Sequence, residues 1–386
     1  MRNKFIIIFI ILIAGMLLTE AILWIVFPLP RGNSLKVEVR NNNLPGLKTK
    51  ILFTRNAFGF RSMSMRTAKK PPHTIRIICL GASTTQQSVQ ATEDLWSAIL
   101  EKELNKEFFR DNIKIEVAAL GTSPGPAIDR LLYVRNKILK FEPDLVIVLE
   151  GINNLCFQGG PGYTYTKLED KIADWRNRDK KVSRYFSWRT FLWRYSQIYR
   201  RLLILKHKFE LYMAVKKGVA WEWHSRKLPQ MRKQYRDLPY VEEPRRQIDP
   251  IIEFSDIMVT FLRFFKDAGV RVIVLGQPVL WKADMNSEEI SALWFYVKTS
   301  DGSVRPSSAW LEKEMSRYND AQREIAVSFK VPFVDLDKKI PKNLQYFFDD
   351  CHFTDLGSVK VAQEIYPAVR EQVKEIIGSR GEALPN

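Results

Sequence analysis

Short runs of apolar residues alternate with longer amphipathic segments along most of the chain. The apolar runs predict five buried strands, at residues 74–81, 113–121, 143–151, 270–279 and 331–336. The amphipathic segments repeat their apolar residues at helical spacing, and they start near residues 94, 127, 251, 310 and 357. Buried strands alternating with helices predict an α/β fold, a three-layer α/β/α sandwich with a central parallel sheet.

The chain begins with one long apolar segment. Residues 5–27 are apolar except at positions 19 and 20, and about 20 helical residues span a bilayer core. Two basic residues and no acidic residue precede the segment, which predicts a cytoplasmic amino end and a body outside the cytoplasmic membrane. We expect residues 1–30 to be a membrane anchor that contacts the lipid bilayer through residues 5–27. A cleaved signal peptide is the competing interpretation, although no convincing A-x-A site is present.

Glu20 is unusual in this segment because a carboxylate in lipid is costly. We expect it either to lie near the outer interface or to contact another helix. Residues 31–73 then form an extended entry segment before the first strand of the sheet.

Residues 155–249 interrupt the alternation of strands and helices. They hold no convincing strand, and they carry 22 Lys or Arg against 10 Asp or Glu, which accounts for most of the net charge of +17. We interpret them as a basic, aromatic, helical insertion within an α/β domain that comprises residues 74–154 and 250–380. Three interpretations of the insertion stay open: a packed cap with a solvated face, an interfacial helix on anionic lipid, and a groove for an acidic glycan or lipid-linked substrate.

Polar residues that could carry chemistry follow several predicted strands, where open α/β sheets bind their ligands. Two serines are candidates for a nucleophile, Ser83 in GASTT and Ser123 in GTSPG. The second motif matches the G-x-S-x-G nucleophile elbow, in which the next residue donates its backbone N–H to the oxyanion. That residue is Pro124, which has no N–H, so Ser83 is the better candidate. Taken alone, a serine at a strand–helix junction such as Ser83 is better explained as a helix cap.

Three short blocks in the chain resemble those of the SGNH (GDSL-like) hydrolase family. They are Gly81–Ser83 after the first strand, Gly151–Asn154 after the third, and Asp349–His352 followed by Thr354 and Gly357. The earlier stretch NAFGFRS looks like the entry segment of membrane-anchored bacterial members. The resemblance extends over roughly residues 50–375, except for the insertion.

The resemblance implies a serine esterase with a Ser83–His352–Asp349 triad. A neutral imidazole can take the proton of a serine hydroxyl, and an aspartate three residues earlier can orient the ring. By the family pattern this aspartate is Asp349 and not Asp350.

The family pattern also implies an oxyanion hole. The reaction that it implies needs no metal or organic cofactor. The donors would be the backbone N–H of Ser83, the Asn153 side chain and a glycine of the second block. Because that block reads AALGTSPG here, Gly125 is the expected donor and Gly121 the alternative.

Cys156 and Cys351 would lie on neighbouring loops, most simply as two unpaired thiols. A disulfide between them is the alternative, because the predicted location is outside the cytoplasm. The expected partners are an acylated small-molecule or glycan substrate and the lipid bilayer, and no nucleic acid. We therefore expect a membrane-anchored esterase that hydrolyses O-acyl esters, including O-acetyl esters, on envelope glycans or lipids. The alternatives are an O-acyltransferase with the same triad and a non-catalytic envelope protein that binds an acidic polymer.

Overall fold

The computed structural model describes most of the α/β domain and part of the predicted insertion. The described residues are 2–26, 36–41, 44–56, 58–111, 113–121, 127–128, 130–131, 134, 138–157, 196–199, 201–202, 205–206, 209, 212–213, 223–245, 249–299 and 302–381. Ser123, Gly125 and much of the segment 155–249 lie outside these residues.

Strands and helices alternate through the described residues. The strands are β1 (Lys36–Asn41), β2 (Lys50–Arg55), β3 (Thr74–Gly81), β4 (Lys114–Gly121), β5 (Leu145–Leu149), β6 (Tyr240–Val241), β7 (Arg271–Leu275), β8 (Val297–Thr299), β9 (Gly302–Pro306) and β10 (Phe333–Val334). The helices are α1 (Arg2–Ile25), α2 (Ser83–Gln86), α3 (Trp96–Glu107), α4 (Ile152–Phe157), α5 (Trp223–Asp237), α6 (Pro250–Asp267), α7 (Ser287–Ala292), α8 (Ser308–Phe329), α9 (Leu336–Lys339) and α10 (Asp355–Gly381).

The five predicted strands form one parallel sheet, as the sequence indicated. Its order is β10-β7-β5-β3-β4, which is the flavodoxin-like arrangement of doubly wound folds. All eight residues of β3 are buried, because helices cover both faces of the sheet. Helix α3 packs with α10, and α6 packs with α8. Right-handed crossovers place these two pairs on opposite faces.

The position of β3 in the sheet determines where a ligand can bind. The chain leaves β3 in one direction to form β4 and returns past it to form β5, so the strand order reverses between β3 and β5. Their carboxyl ends are in register, with Gly81 opposite Leu149. Ligands in open α/β sheets bind at this kind of reversal. Ser83 directly follows one of these strands, and Asn153 follows the other.

Two small sheets lie outside the central one and were not predicted from the sequence. Within the entry segment, β1 pairs with β2 in antiparallel register. Strand β9 pairs with both β6 and β8, and β6 lies inside the predicted insertion 155–249, where no strand was expected. Strand β6 has only two residues, and such a short run gives no periodicity in the sequence.

Arg61, in the entry segment, holds the loop that follows α2. Its buried guanidinium donates from Nη1 to the carbonyl oxygens of Gln86 and Gln87, at 2.6 Å each. Nη2 donates to the Gln90 carbonyl oxygen at 2.6 Å. The Arg61 backbone also pairs with Ala119 of β4. The entry segment therefore connects the loop after Ser83 to the sheet.

The same segment also contacts the first turn of α10, which follows His352. The Gly46 carbonyl oxygen accepts a hydrogen bond from the Asp355 backbone N–H at 2.9 Å. The Lys48 backbone N–H donates to the Asp355 carboxylate at 3.1 Å. Residues before the first strand of the central sheet thus brace both the Ser83 loop and the His352 loop.

Helix α1 contains one span that is long and apolar enough to cross a bilayer. Residues 6–25 have a mean hydropathy of 2.8, and many of their apolar side chains are exposed. A signal sequence near an amino end also satisfies this criterion of length and composition.

We expect Arg61→Met to destabilise the protein by about 3 kcal/mol, because several buried carbonyl groups would lose their donors. Arg66→Met is the matched control, since Arg66 is exposed and donates to the Met63 carbonyl oxygen. The control should change the free energy of unfolding by less than about 0.5 kcal/mol. Urea unfolding followed by tryptophan fluorescence measures both changes. Equal effects of the two substitutions would contradict the role given to Arg61.

Candidate active site

The loop before α10 folds around the carboxylate of Asp349. Oδ1 accepts hydrogen bonds from the backbone N–H groups of Cys351 at 3.0 Å and His352 at 2.9 Å. The His352 Nδ1 atom lies 2.9 Å from each Asp349 oxygen. The Trp294 indole N–H donates to Oδ2 at 2.9 Å. The aspartate thus fixes both the turn of the loop and the orientation of the imidazole.

Two aromatic rings stack nearly parallel to the imidazole of His352. Trp294 stacks at 6.3 Å between ring centroids with an interplanar angle of 8°, and Phe348 stacks at 5.7 Å with 17°. Arg232 of α5 donates to the Phe348 carbonyl oxygen at 2.8 Å and to the Ala292 carbonyl oxygen at 3.1 Å. Sequence reasoning missed Trp294 and Arg232, because neither lies in a recognisable motif.

The contact between Asp349 and His352 shifts the pKa values of both residues. Burial alone would lower the pKa of His352, but the Asp349 charge and hydrogen bond raise that pKa well above its usual range. Burial opposes ionisation of Asp349, yet His352 and the N–H donors lower the pKa of Asp349 to about 2. The carboxylate therefore stays ionised at neutral pH, and Nδ1 keeps its proton toward it. Nε2 is then the imidazole atom that can exchange a proton with a substrate or nucleophile.

Asp350 does not contact the imidazole as Asp349 does, and instead bonds to the segment around Trp294 and to Trp281. One carboxylate oxygen accepts from the Trp281 indole N–H at 2.8 Å. The other accepts from the backbone N–H groups of Trp294 and Phe295, at 2.8 and 3.1 Å. Burial, reinforced by the neighbouring Asp349, raises the pKa of Asp350 to about 7. Asp350 thus positions Trp294, while Asp349 contacts the imidazole.

Ser83 is the first residue of the short helix α2, and only Ala82 separates it from the end of β3. The helix cap is Ala82, and no side chain caps this end of the helix. The Ser83 carbonyl oxygen accepts from the Gln87 N–H at 2.8 Å. Its hydroxyl makes no hydrogen bond within the described residues. Ser83 is half-buried, so its hydroxyl is not used as a cap and remains available for chemistry.

Two glycines allow α2 to lie closely over the strand ends. A Cβ atom on Gly81 would overlap Thr85 Oγ1 and the Leu149 carbonyl oxygen. A Cβ atom on Gly121 would overlap the backbone of Gln86. Gly121 therefore has a packing role beside α2. Gly125, the expected oxyanion donor to which Gly121 is the alternative, lies outside the described residues.

Asn153 is in the first turn of α4, after a glycine with positive φ. Gly151 has a φ of 136°, which favours glycine and turns the chain sharply after β5. The buried Asn153 Nδ2 has no hydrogen-bond partner within the described part of the chain. The neighbouring Asn154 Nδ2 also lacks a partner there, while its Oδ1 accepts a hydrogen bond from the Ala127 N–H at 3.0 Å. Both amides thus retain a donor, and Asn154 also links its helix to Ala127.

Gln90 connects the serine side of the site to the histidine side. Its amide donates to the Asp355 carboxylate at 3.1 Å and accepts from the Ser358 hydroxyl at 2.9 Å. Gln90 lies in the loop after Ser83, and both partners lie in the first turn of α10, after His352. Among the described residues, no hydrogen bond joins Ser83 to His352. The two loops nevertheless meet at one edge of the sheet.

The cysteines near this loop are free thiols. Cys156 donates from Sγ to the Tyr296 carbonyl oxygen at 3.2 Å, and Cys351 Sγ lies 3.6 Å from His352 Nδ1. The structure therefore has the unpaired thiols and not the alternative disulfide.

Asp349, Cys351 and His352 also place three possible metal-ligand atoms within 4.8 Å of one another. With no ion bound, burial raises the pKa of the Cys351 thiol to about 11, and the His352 Nδ1 atom lies 2.9 Å from each Asp349 oxygen. The Asp349 oxygens already accept several N–H groups. These contacts favour a hydrogen-bonded Asp–His pair over a metal site.

Several solved structures are similar to part of this chain. The acetyl xylan esterase AlAXEase has 13% sequence identity and a TM-score of 0.41, over 76% of this chain and 100% of its own. An acetylxylan esterase from Geobacillus stearothermophilus has 11% identity and a TM-score of 0.40, over 76% and 94%. A protein from Parabacteroides merdae described as a GDSL-like lipase has 9% identity and a TM-score of 0.40, over 76% and 94%.

No protein-family model and no curated protein matches the chain. Similarity to solved structures at this level assigns neither residue roles nor a substrate. The geometry of the site itself carries the functional interpretation.

We expect Asp349→Asn to lower the pKa of His352 by about one to three pH units, because an adjacent carboxylate charge favours the imidazolium. Histidine side-chain NMR titration of the full chain measures this shift. Asp350→Asn is the matched control, since that carboxylate contacts Trp281 and the 294–295 backbone. A larger shift in the control than in Asp349→Asn would contradict the assignment of the pair.

Proposed function

We propose that the chain is a membrane-anchored serine ester hydrolase of the SGNH type. The observation that carries this proposal is the Asp349–His352 pair, whose loop is linked to the loop after Ser83 through the hydrogen bonds of Gln90 to Asp355 and Ser358. A serine, an imidazole and an orienting carboxylate together are the requirements for acyl transfer through a covalent intermediate.

In the proposed reaction, Ser83 Oγ attacks the carbonyl carbon of an ester and His352 Nε2 takes the hydroxyl proton. The tetrahedral intermediate collapses when Nε2 returns this proton to the leaving alcohol, which leaves an acyl-enzyme. Water then attacks the acyl-enzyme by the same proton transfers and releases the acid. Because the base must be neutral, turnover falls as the pH drops below the raised pKa of His352.

The oxyanion would form beside the backbone N–H of Ser83 and the Asn153 side chain, with Gly125 or Gly121 as the further donor. The unpartnered Nδ2 of Asn153 is compatible with this role, since an oxyanion donor must be free of other partners before the reaction. The Nδ2 of Asn154 is unpartnered as well, so the choice of Asn153 follows from the family resemblance. Losing one such donor typically lowers kcat by about 10²–10³-fold.

The proposed location follows from α1. Residues 6–25 would cross the membrane with the amino end in the cytoplasm, so the α/β domain would lie outside it. An enzyme in this position meets the glycans and lipids of the envelope, and we propose their O-acyl groups, including O-acetyl groups, as substrates. Metal ions and organic cofactors have no step in the proposed reaction.

We expect Ser83→Ala and His352→Ala each to lower kcat for p-nitrophenyl acetate by about 10³-fold or more, because triad members act as a unit. The full chain in detergent serves for all measurements. Release of p-nitrophenol gives the rate, and circular dichroism shows whether each variant is folded.

Ser123→Ala is the matched control and should keep its activity. Loss of activity in this variant alone would overturn Ser83 as the nucleophile. If folded wild-type protein releases no p-nitrophenol but transfers acetyl groups to a glycan acceptor, the O-acyltransferase alternative replaces hydrolysis. If Ser83→Ala retains all activities, the protein is not a serine enzyme at this site.

A further inference from the structure

Glu20 of helix α1 contacts the start of a helical segment in the insertion. Its carboxylate accepts hydrogen bonds from the Ser196 hydroxyl at 3.0 Å and the Ile198 backbone N–H at 3.1 Å. It also accepts from the backbone N–H of Gln197. The described residues that follow, at 197–199, 201–202, 205–206, 209 and 212–213, are all helical.

This contact offsets the cost of a carboxylate in an apolar span and the cost of unpaired backbone N–H groups at a helix start. A carboxylate within an apolar span is costly unless it is paired or hydrogen-bonded. The first backbone N–H groups of a helix lack partners within the helix and favour negative charge. Glu20 satisfies these N–H groups, and they satisfy Glu20. The insertion is thereby attached to the apolar helix α1 as well as to the α/β domain.

The described residues beyond this contact expose a row of large apolar side chains. Leu202, Leu205, Phe209 and Tyr212 have exposed fractions of 59%, 60%, 63% and 60%. Their spacing of three, four and three residues places them on one side of a helix. We call these four residues the apolar stripe. An exposed stripe of this kind in water would be an unfavourable surface unless something covers it.

Basic residues lie on both sides of the apolar stripe. At 100° per residue, Arg201 and Lys206 fall on opposite flanks of it. The sequence from 194 to 217 carries seven Lys or Arg and one Glu. An apolar stripe flanked by cations, with aromatic residues within it, is the composition of helices that lie in the interface of anionic membranes.

We infer that this segment lies on the outer surface of the membrane, with the apolar stripe in the lipid and the flanking cations at anionic phospholipid headgroups. The inference rests on the proposed membrane span of α1, because Glu20 joins the segment to that span. Arg232 in α5 of the same insertion holds the loop of His352. The insertion thus contacts the span through Glu20 and the candidate active site through Arg232.

The test places an environment-sensitive fluorophore on the stripe of the full chain. Leu205→Cys is labelled with a maleimide dye. The three native cysteines react poorly with the dye because all of them are buried. The protein is reconstituted into vesicles of phosphatidylcholine with phosphatidylglycerol, and nitroxide-labelled lipid is added as a quencher. Phe109→Cys is the matched control, since Phe109 is an 81% exposed apolar residue of the α/β domain.

We expect nitroxide lipid to reduce the emission at position 205 by about twofold or more, and to leave the control nearly unchanged. Omitting phosphatidylglycerol or raising the salt concentration should weaken the quenching, because screening reduces attraction to anionic headgroups. Glu20→Ala should lower the quenching at position 205 toward that of the control. Unchanged quenching in that variant would overturn the positioning role of Glu20.

Other outcomes would overturn the inference as a whole. A label at position 205 that stays unquenched in both kinds of vesicle excludes lipid as the partner. Emission that depends on protein density but not on nitroxide would identify a second copy of the chain. A response to soluble polygalacturonate alone would identify an acidic polymer. Extraction of the chain from the vesicles by alkaline carbonate would instead show that α1 does not span the membrane. This result distinguishes a failure of the proposed span from a failure of the proposed position of the apolar stripe.

Discussion

The hydrogen-bonded pair of Asp349 and His352 is the contact on which the proposed chemistry depends. A buried carboxylate is stable only when donors surround it, and here the turn backbone, the imidazole and the Trp294 indole supply them. The same bonds that stabilise the charge hold the imidazole in one orientation. Asp350 accepts two backbone N–H groups at residues 294–295 and thereby fixes Trp294. Structure and reactivity therefore rest on one network.

Contacts from outside the sheet give this network its place beside Ser83. Arg61 holds the loop after α2, Gln90 links that loop to the first turn of α10, and Gly46 bonds to the same turn. The insertion adds Arg232 over the His352 loop. A central parallel sheet only brings strand ends to a common edge, and these added contacts set the separation of the side chains there.

The sequence predicted the elements whose signal is local. The run TIRIICLG predicted β3 with its observed bounds, because a strand buried on both faces is continuously apolar. The spacing of Asp349 and His352 predicted their contact, because three residues suffice for a tight turn. Trp294 was missed because it reaches Asp349 from 55 residues away, and no local pattern records such a contact. The hairpin of β1 and β2 was missed because its sequence is largely polar. Glu20 was recognised as anomalous, but its partners at 196–198 depend on the tertiary fold.

The most direct test of Ser83 as the nucleophile is to ask which residue reacts with a fluorophosphonate, a reagent that forms a covalent bond with activated serine hydroxyls. Attack by the serine oxygen on phosphorus displaces fluoride, and mass spectrometry of the digested chain locates the adduct. We expect an adduct on Ser83 that is lost in His352→Ala, because the hydroxyl needs that base. An adduct on Ser123, or undiminished labelling of Ser83 without His352, would contradict it.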